Sequence, residues 1–274
     1  MQCIYCQNRE ISCRGTQGTV MSSDEVCDAI IELLPMSENN LGFVSPTHCI
    51  PQMITIVEEL RKRGHNPTII YNTNGYDLPE TIRSLDRIVD VWLPDFKYSD
   101  DSLAEEISQA PDYSKYALSS LKAMVHQSGT TLHTDDRGIA RRGIIIRHLV
   151  LPGFTENSVG VLKLIAEHIS PNLHISLMSQ YYPPDNFLLD NHNSQFANLS
   201  LRLSSRLNPV HARVPMKSGV SGRKSLHRTI TRNEYETVLQ AFHSLGFTSG
   251  WLQDFESHLS YRPDFSKKHP FEEK

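Results

Sequence analysis

No apolar run in the 274 residues reaches the roughly 18 that a membrane-crossing helix needs. The best candidate, at 144–150, is interrupted by Arg147 and His148. A surplus of positive charge is also missing. Lys and Arg number 27 against 31 Asp and Glu, a formal net charge of −4, so nothing advertises a nucleic acid or a membrane surface as partner. Cysteine is scarce and lopsided: the 5 cysteines, at 3, 6, 13, 27 and 49, all fall in the first fifth of the chain. An odd, clustered set argues against a secreted disulfide framework and for a ligand site in a reducing, soluble compartment. The opening residues, MQCIYCQNREISCRG, also lack the apolar stretch of a secretory signal.

What is present suits a large α/β domain, with 39% hydrophobic residues. Charge is uneven: residues 1–137 carry 11 basic and 20 acidic side chains, leaving 16 and 11 for the rest. Strand-length apolar runs alternate with helix-period segments, the pattern of βα units on a parallel sheet. Ser22-x-x-Glu25 is a capping box that should open a helix ending near Pro35. Helices are expected at 50–63, 79–88, 102–108, 113–127 and 157–169, and strands at 41–44, 68–71, 91–93, 144–150 and 175–178. Between 183 and 230 the pattern fails. Asn, Ser, Pro, Arg and His dominate there, with seven basic and two acidic residues from 185 to 230, so a low-order basic insertion is expected, with a short helix near 196–207. Thr231-x-x-Glu234 caps a further helix to Leu245; a strand at 248–252 and a polar tail from 257 complete the chain. The expected division is a barrel over 1–182, the insertion over 183–230, the last helix and strand over 231–256, and the tail over 257–274.

In parallel α/β folds ligands bind at the C-terminal ends of the strands. There this sequence places Ser45-Pro46-Thr47-His48, Asn72-Thr73-Asn74-Gly75, Asp95-Phe96-Lys97 and Ser179-Gln180-Tyr181. Arg147 and His148 sit inside the 144–150 strand, so one of them is expected to face a barrel interior. Asn-Thr-Asn-Gly has a plain reading as a turn, and Asp before a helix as a cap. A structural sheet, however, does not require Asp95 and Lys97 side by side on such a rim.

Cys3-Ile4-Tyr5-Cys6 brings two thiolates close enough to share a metal or cluster, or to form a redox disulfide. Cys13 is a spare ligand candidate, whereas Cys27, on the apolar face of the first helix, and Cys49 read as inert thiols. Cys3-Ile4-Tyr5-Cys6-Gln7-Asn8 resembles the second half of the Cys-x3-Cys-x2-Cys motif of radical S-adenosylmethionine (SAM) enzymes. FVSPTH at 43–48, YNTNGYDLPET at 71–81, VWLPDFKYSDD at 91–101, APDY at 110–113, RGIIIRHLVLPG at 142–153, LMSQY at 177–181 and GWLQ at 250–253 are similar to the branch related to pyruvate formate-lyase activating enzymes, described as PflX-like.

The resemblance implies a partial (β/α)6 TIM-like barrel of parallel strands. It also implies a [4Fe–4S] cluster on three cysteines whose open iron binds SAM, and a 5′-deoxyadenosyl radical made by one-electron cleavage. Carried over by position, it makes Cys3 and Cys6 metal ligands and places Tyr5 beside the adenine. Ser45-Pro46-Thr47 takes the place of a Gly-Gly-Glu segment that meets the SAM amino group, without its carboxylate. Asn72 and Asn74 would contact SAM and Lys97 its carboxylate, next to Asp95. Arg147, His148, Gln180 and Tyr181 would complete the cavity. An electron donor such as flavodoxin or ferredoxin, and a glycyl-radical enzyme as candidate protein substrate, are the implied partners. The first motif cysteine would fall two positions before Met1, with the first barrel strand missing, so the expectation is a chain shortened at its start. Two alternatives stay open: an inactive barrel that binds SAM or a partner, and a zinc or dithiol protein.

Overall fold

The computed structural model describes residues 1–8, 19–184 and 221–259. Among these, helices and strands alternate as α1 (Ser23–Leu33), β1 (Asn40–Val44), α2 (Ile50–Lys62), β2 (Thr68–Thr73), α3 (Pro79–Ser84), β3 (Val91–Pro94), α4 (Asp101–Ser108), α5 (Tyr113–Ser128), β4 (His133–Thr134), β5 (Ala140–Leu149), α6 (Thr155–His168), β6 (His174–Met178), α7 (Arg232–Ser244) and β7 (Gly250–Leu252). The expected α/β architecture is present. Six strands pair in parallel in the order β1-β2-β3-β5-β6-β7, and β4 joins β5 antiparallel. Sequential parallel order is that of a barrel wall, and the sheet is open, with β1 and β7 as its edges. The suggested helix at 196–207 and nearly all of the polar tail lie outside the described residues.

Local chemistry sets the boundaries. Both capping boxes form: Ser22 Oγ accepts from Glu25 N while Glu25 takes Ser22 N, and Thr231 and Glu234 repeat the exchange. Helix α3 stops at Ser84 rather than 88, because residues 85–88 turn and Arg87 adopts a left-handed backbone. Strand β5 begins four residues before the expected 144, since Ala140 and Arg142 pair with β4. Of the expected 183–230 insertion, residues 183, 184 and 221–230 are described. Ser221–His227 forms a 3-10 turn whose Leu226 is fully buried, and Tyr181 Oη, just before residue 185, donates to Leu226 O at 2.7 Å.

Alternation gives the sheet two unlike faces. Ile69, Tyr71, Trp92, Ile144, Ile146, Ile175 and Leu177 are buried in one core with Val57, Ile82, Leu121, Leu162 and Val238 from the helices. The opposite face bears Val44 and Asn72 in register, Arg147 and Ser176 in register, and Trp251 beside Ser176. That face stays open: Val44 and Trp251 are 68% and 51% exposed. At the N-terminal end of the sheet, Arg141 of β5 donates to Thr68 Oγ1 of β2 at 3.0 Å, Asn40 Oδ1 of β1 at 3.2 Å and Glu38 O at 3.1 Å. Its remaining donors hold Asp135 Oδ2 at 2.9 and 3.1 Å. No described helix is long and apolar enough to cross a membrane.

Candidate functional site

The C-terminal ends of β2, β3 and β5 converge on one charged cluster. Asp95, just past β3, receives Lys97 Nζ at 2.6 Å and Arg147 Nε at 2.9 Å; Arg147 Nη2 also donates to Asn72 Oδ1 at 2.9 Å. Burial alone would raise the Asp95 carboxyl, but Lys97 and Arg147 outweigh it and hold it below the usual carboxylate range. Burial likewise works against the Lys97 ammonium, while Asp95 and then Cys3 pull it above its ordinary value, so Lys97 stays charged. Two cations on one carboxylate leave an excess positive charge on the rim, an arrangement suited to a ligand carboxylate or phosphate.

Backbone geometry makes the cluster possible. In the Asn72-Thr73-Asn74-Gly75 turn, Gly75 has a φ of +78°, and a Cβ there would lie 2.2 Å from Asp95 O, so only glycine lets the two loops touch. Tyr113 fastens the same loops: its one hydroxyl hydrogen is shared between Asn74 O at 2.8 Å and Asp95 O at 3.1 Å, and its oxygen accepts from Lys97 N at 2.9 Å.

The Cys-x-x-Cys segment lies over this rim. Gln2 N and Ile4 N donate to Ser108 O and Ile107 O at the end of α4, and Cys6 N turns back to Cys3 O at 3.2 Å. The Cys3 and Cys6 side chains are partly exposed. Cys3 Sγ accepts from Ser108 Oγ at 3.0 Å. Tyr5 between them is buried, with its ring 6.2 Å from that of Tyr181. Cys27 is fully buried and points at Ile56 O of α2, as expected of an inert thiol. Cys13 lies outside the described residues.

The remaining expected residues divide. Gln180 joins the rim: its Oε1 accepts from Gln253 Nε2 at 2.8 Å and its carbonyl from Gln7 Nε2 at 3.2 Å. Pro46 is buried, and Thr47 donates to Asp77 at 2.7 Å. Asn74 keeps its plain turn role, its side chain accepting from Tyr76 N. Of the β5 pair, Arg147 faces the open side while His148 faces the core, with Nδ1 on Phe96 O and Nε2 buried without a partner. Tyr181 is fully buried and spent on Leu226.

Sequence reasoning passed over Asp77, Tyr98, Ser108, Tyr113 and Gln253. Asp77 is a buried carboxylate held by the hydroxyls of Thr47, Thr73 and Tyr71. Asp77, Tyr98, Tyr113 and Gln253 lie inside the family-like stretches, the available signal; Ser108 had none.

No protein-family model matches the chain. It is 27% identical over 192 residues to the uncharacterized protein MJ0674 of Methanocaldococcus jannaschii, a match covering 66% of this chain and 51% of that protein. The chain thus spans about half the length of the curated relative it matches.

The residues present meet an iron–sulfur centre part-way. Two thiols stand in one turn, one already accepting a hydrogen bond as a ligating sulfur would, beside cationic side chains. Among the described residues no group of three or more Cys, His, Asp or Glu could close a metal site. The described residues therefore account for two ligands of the three that the resemblance implies.

Proposed function

We propose that the chain is the barrel of a radical SAM enzyme whose iron–sulfur cluster would be held by Cys3, Cys6 and a third thiolate from outside the described residues, working in a reducing compartment with a flavodoxin or ferredoxin as electron donor. The observation that carries this reading is that Cys3 of the Cys-x-x-Cys turn lies within electrostatic reach of Lys97 in the Asp95–Lys97–Arg147 cluster, at the strand ends where parallel α/β folds bind ligands. A bound cluster would supply the electron that breaks the SAM sulfonium bond and leaves an adenosyl-type radical to abstract hydrogen from a substrate, a glycyl-radical enzyme being the first candidate.

The chain's own residues supply recognition and order. Lys97 and Arg147 offer charged donors to the amino-acid carboxylate of SAM, and Asp95 holds both in place. Asn72 fixes the outer edge of the Arg147 guanidinium. Asp77, through Thr47, steadies the loop that takes the place of the carboxylate-bearing segment of the radical SAM family. The open face below, with Val44 and Trp251 exposed, leaves room for a large substrate.

Anaerobic reconstitution with iron and sulfide tests the reading. A brown, iron- and sulfide-containing protein that yields 5′-deoxyadenosine from SAM under dithionite is expected, and Cys3→Ser or Cys6→Ser abolishes both. Absence of chromophore and product defeats it, as does stoichiometric zinc that survives air. A second reading, a barrel that binds SAM or a partner without chemistry, is favoured by the two-ligand count; calorimetric SAM binding that persists in Cys3→Ser protein without turnover in any form selects it.

A further inference from the structure

Asp77 is 1% exposed and caps no helix, for α3 starts two residues later without a side-chain cap bond. Its carboxylate collects hydroxyl hydrogens instead. Oδ1 accepts from Thr47 Oγ1 at 2.7 Å and from Tyr71 Oη at 3.4 Å, and Oδ2 accepts from Thr73 Oγ1. None of these donors carries a charge. Among the described residues no ion pair includes Asp77, although a buried carboxylate is ordinarily matched by a cation.

Tyr71, Thr73 and Asp77 are buried, whereas Thr47 meets solvent. A hydroxyl has one hydrogen to give, and Thr47 spends its own inward on Asp77. With Tyr71 Oη 3.3 Å away on one lone pair, the Thr47 oxygen keeps the other for the outside. An acceptor with a carboxylate directly behind it favours a positively charged donor over a neutral one. Its aim is fixed by the backbone: Ser45 holds a left-handed φ of 51°, a strain that clusters at ligand sites, Ser45 N is tied to Asn72 O at 2.7 Å, and Pro46 is buried.

The counterpart is on the neighbouring strand. Asn72, whose Oδ1 holds Arg147 Nη2 at 2.9 Å, is in register with Val44, three residues before Thr47. A guanidinium and an acceptor of cations thus stand one strand apart on the rim, the pairing that a zwitterionic amino-acid head requires.

We propose that Thr47, backed by Asp77, is the subsite for the amino group of a ligand with a free amino-acid head, whose carboxylate goes to Arg147 and Lys97. The charge comes from the β2–α3 loop rather than from the segment that bears the hydroxyl. This rests on the reading of the rim as a SAM site and needs no iron, since Thr47, Asp77, Lys97 and Arg147 are all described residues.

The 274-residue chain, without iron, is titrated calorimetrically with three probes. S-adenosylhomocysteine has the amino and carboxylate groups but no sulfonium, decarboxylated SAM has the amino group and the sulfonium but no carboxylate, and 5′-methylthioadenosine has none of the three. Thr47→Val is expected to weaken the first two about tenfold or more and to leave the third unchanged, because the amino group is all that the first two share beyond it. Asp77→Asn, the same shape without the charge, should follow Thr47→Val, and Thr47→Ser should bind all three as wild type does. Where Asp77→Asn fails to fold, the exposed Thr47 variants decide. Thr47→Val protein that binds every probe as wild type does overturns the proposal and leaves the rim standing as a SAM site. So does equal weakening of methylthioadenosine, the mark of a loosened loop, or weakening of S-adenosylhomocysteine alone, which assigns Thr47 to the carboxylate. A wild-type chain that binds none of the three overturns the proposal together with the binding-only reading, while iron reconstitution judges the catalytic one separately.

Discussion

Asparagine at position 95 keeps the shape of the aspartate and removes its charge. In the native protein that charge neutralises Lys97 at 2.6 Å and Arg147 at 2.9 Å, with the Asp95 side chain only 12% exposed. Removing one member of a buried pair costs about 3–5 kcal/mol because its partner is left uncompensated. Lys97 and Arg147 retain 21% and 29% of their exposure, so water takes up part of the deficit and the expected penalty is about 2–3 kcal/mol at pH 7. The same cations give the penalty a pH signature. They hold the Asp95 carboxyl below its ordinary 3.8, so its contribution is fully present above that value and is lost as pH falls through the lower folded value. Asp95→Asn has nothing to lose in that range. Urea unfolding followed by circular dichroism at pH 7, 5 and 3 should therefore show wild type and variant well separated at the first two and the gap narrowed at the third. A gap below ~0.5 kcal/mol at pH 7, or one that stays constant down to pH 3, refutes the argument.

Gly75→Ala places a methyl 2.2 Å from Asp95 O at a φ of +78°, and a loss of about 2–4 kcal/mol is expected; an unchanged melting temperature contradicts it. Burial drives His148 down to about 4 from an ordinary 6.5, so between these values the unfolded chain takes up a proton that the folded one refuses, and stability falls as pH drops through that window. His148→Gln should flatten that part of the stability curve, and parallel curves for the two proteins would show the reasoning wrong. Glu234 overcomes its own burial through Arg228, Thr231 N and Gly153 N and sits near pH 2 against an ordinary 4.5. Glu234→Gln is expected to cost about 1–2 kcal/mol at pH 7 after allowance for solvent at Arg228, and the gap should close as pH falls from 4.5 toward 2; urea titrations that show no closure count against it.

Much of the architecture was legible because it is written in short-range chemistry. The capping boxes at Ser22 and Thr231 mark α1 and α7 before any packing is considered. The β-branched and aromatic runs mark the strands, and four of the strand ends already bore the polar residues that line the rim. Long-range pairing was not legible. β4 is two residues long and has no period to detect, and β5 reaches back to Ala140 only because β4 lies alongside it. The choice between Arg147 and His148 follows from alternation once the strand's face is known, which sequence alone left open. The hydroxyl contacts of Tyr98 with Tyr5 and with Ser108 join residues 93 and 10 positions apart, and no sequence periodicity links them.

Arg141 has a consequence for how this molecule can flex. In a flat sheet β5 would stand three strand spacings of about 4.8 Å from β1, farther than an arginine side chain extends. Its simultaneous grip on Thr68 and Asn40 therefore measures how sharply the wall bends, and it pins that bend at the end remote from the thiols. At the opposite mouth Arg147 of β5 makes a matching tie to Asn72 of β2, so the half-pipe is cinched at both ends, and a ligand that drew Arg147 away would slacken only the mouth beside Lys97.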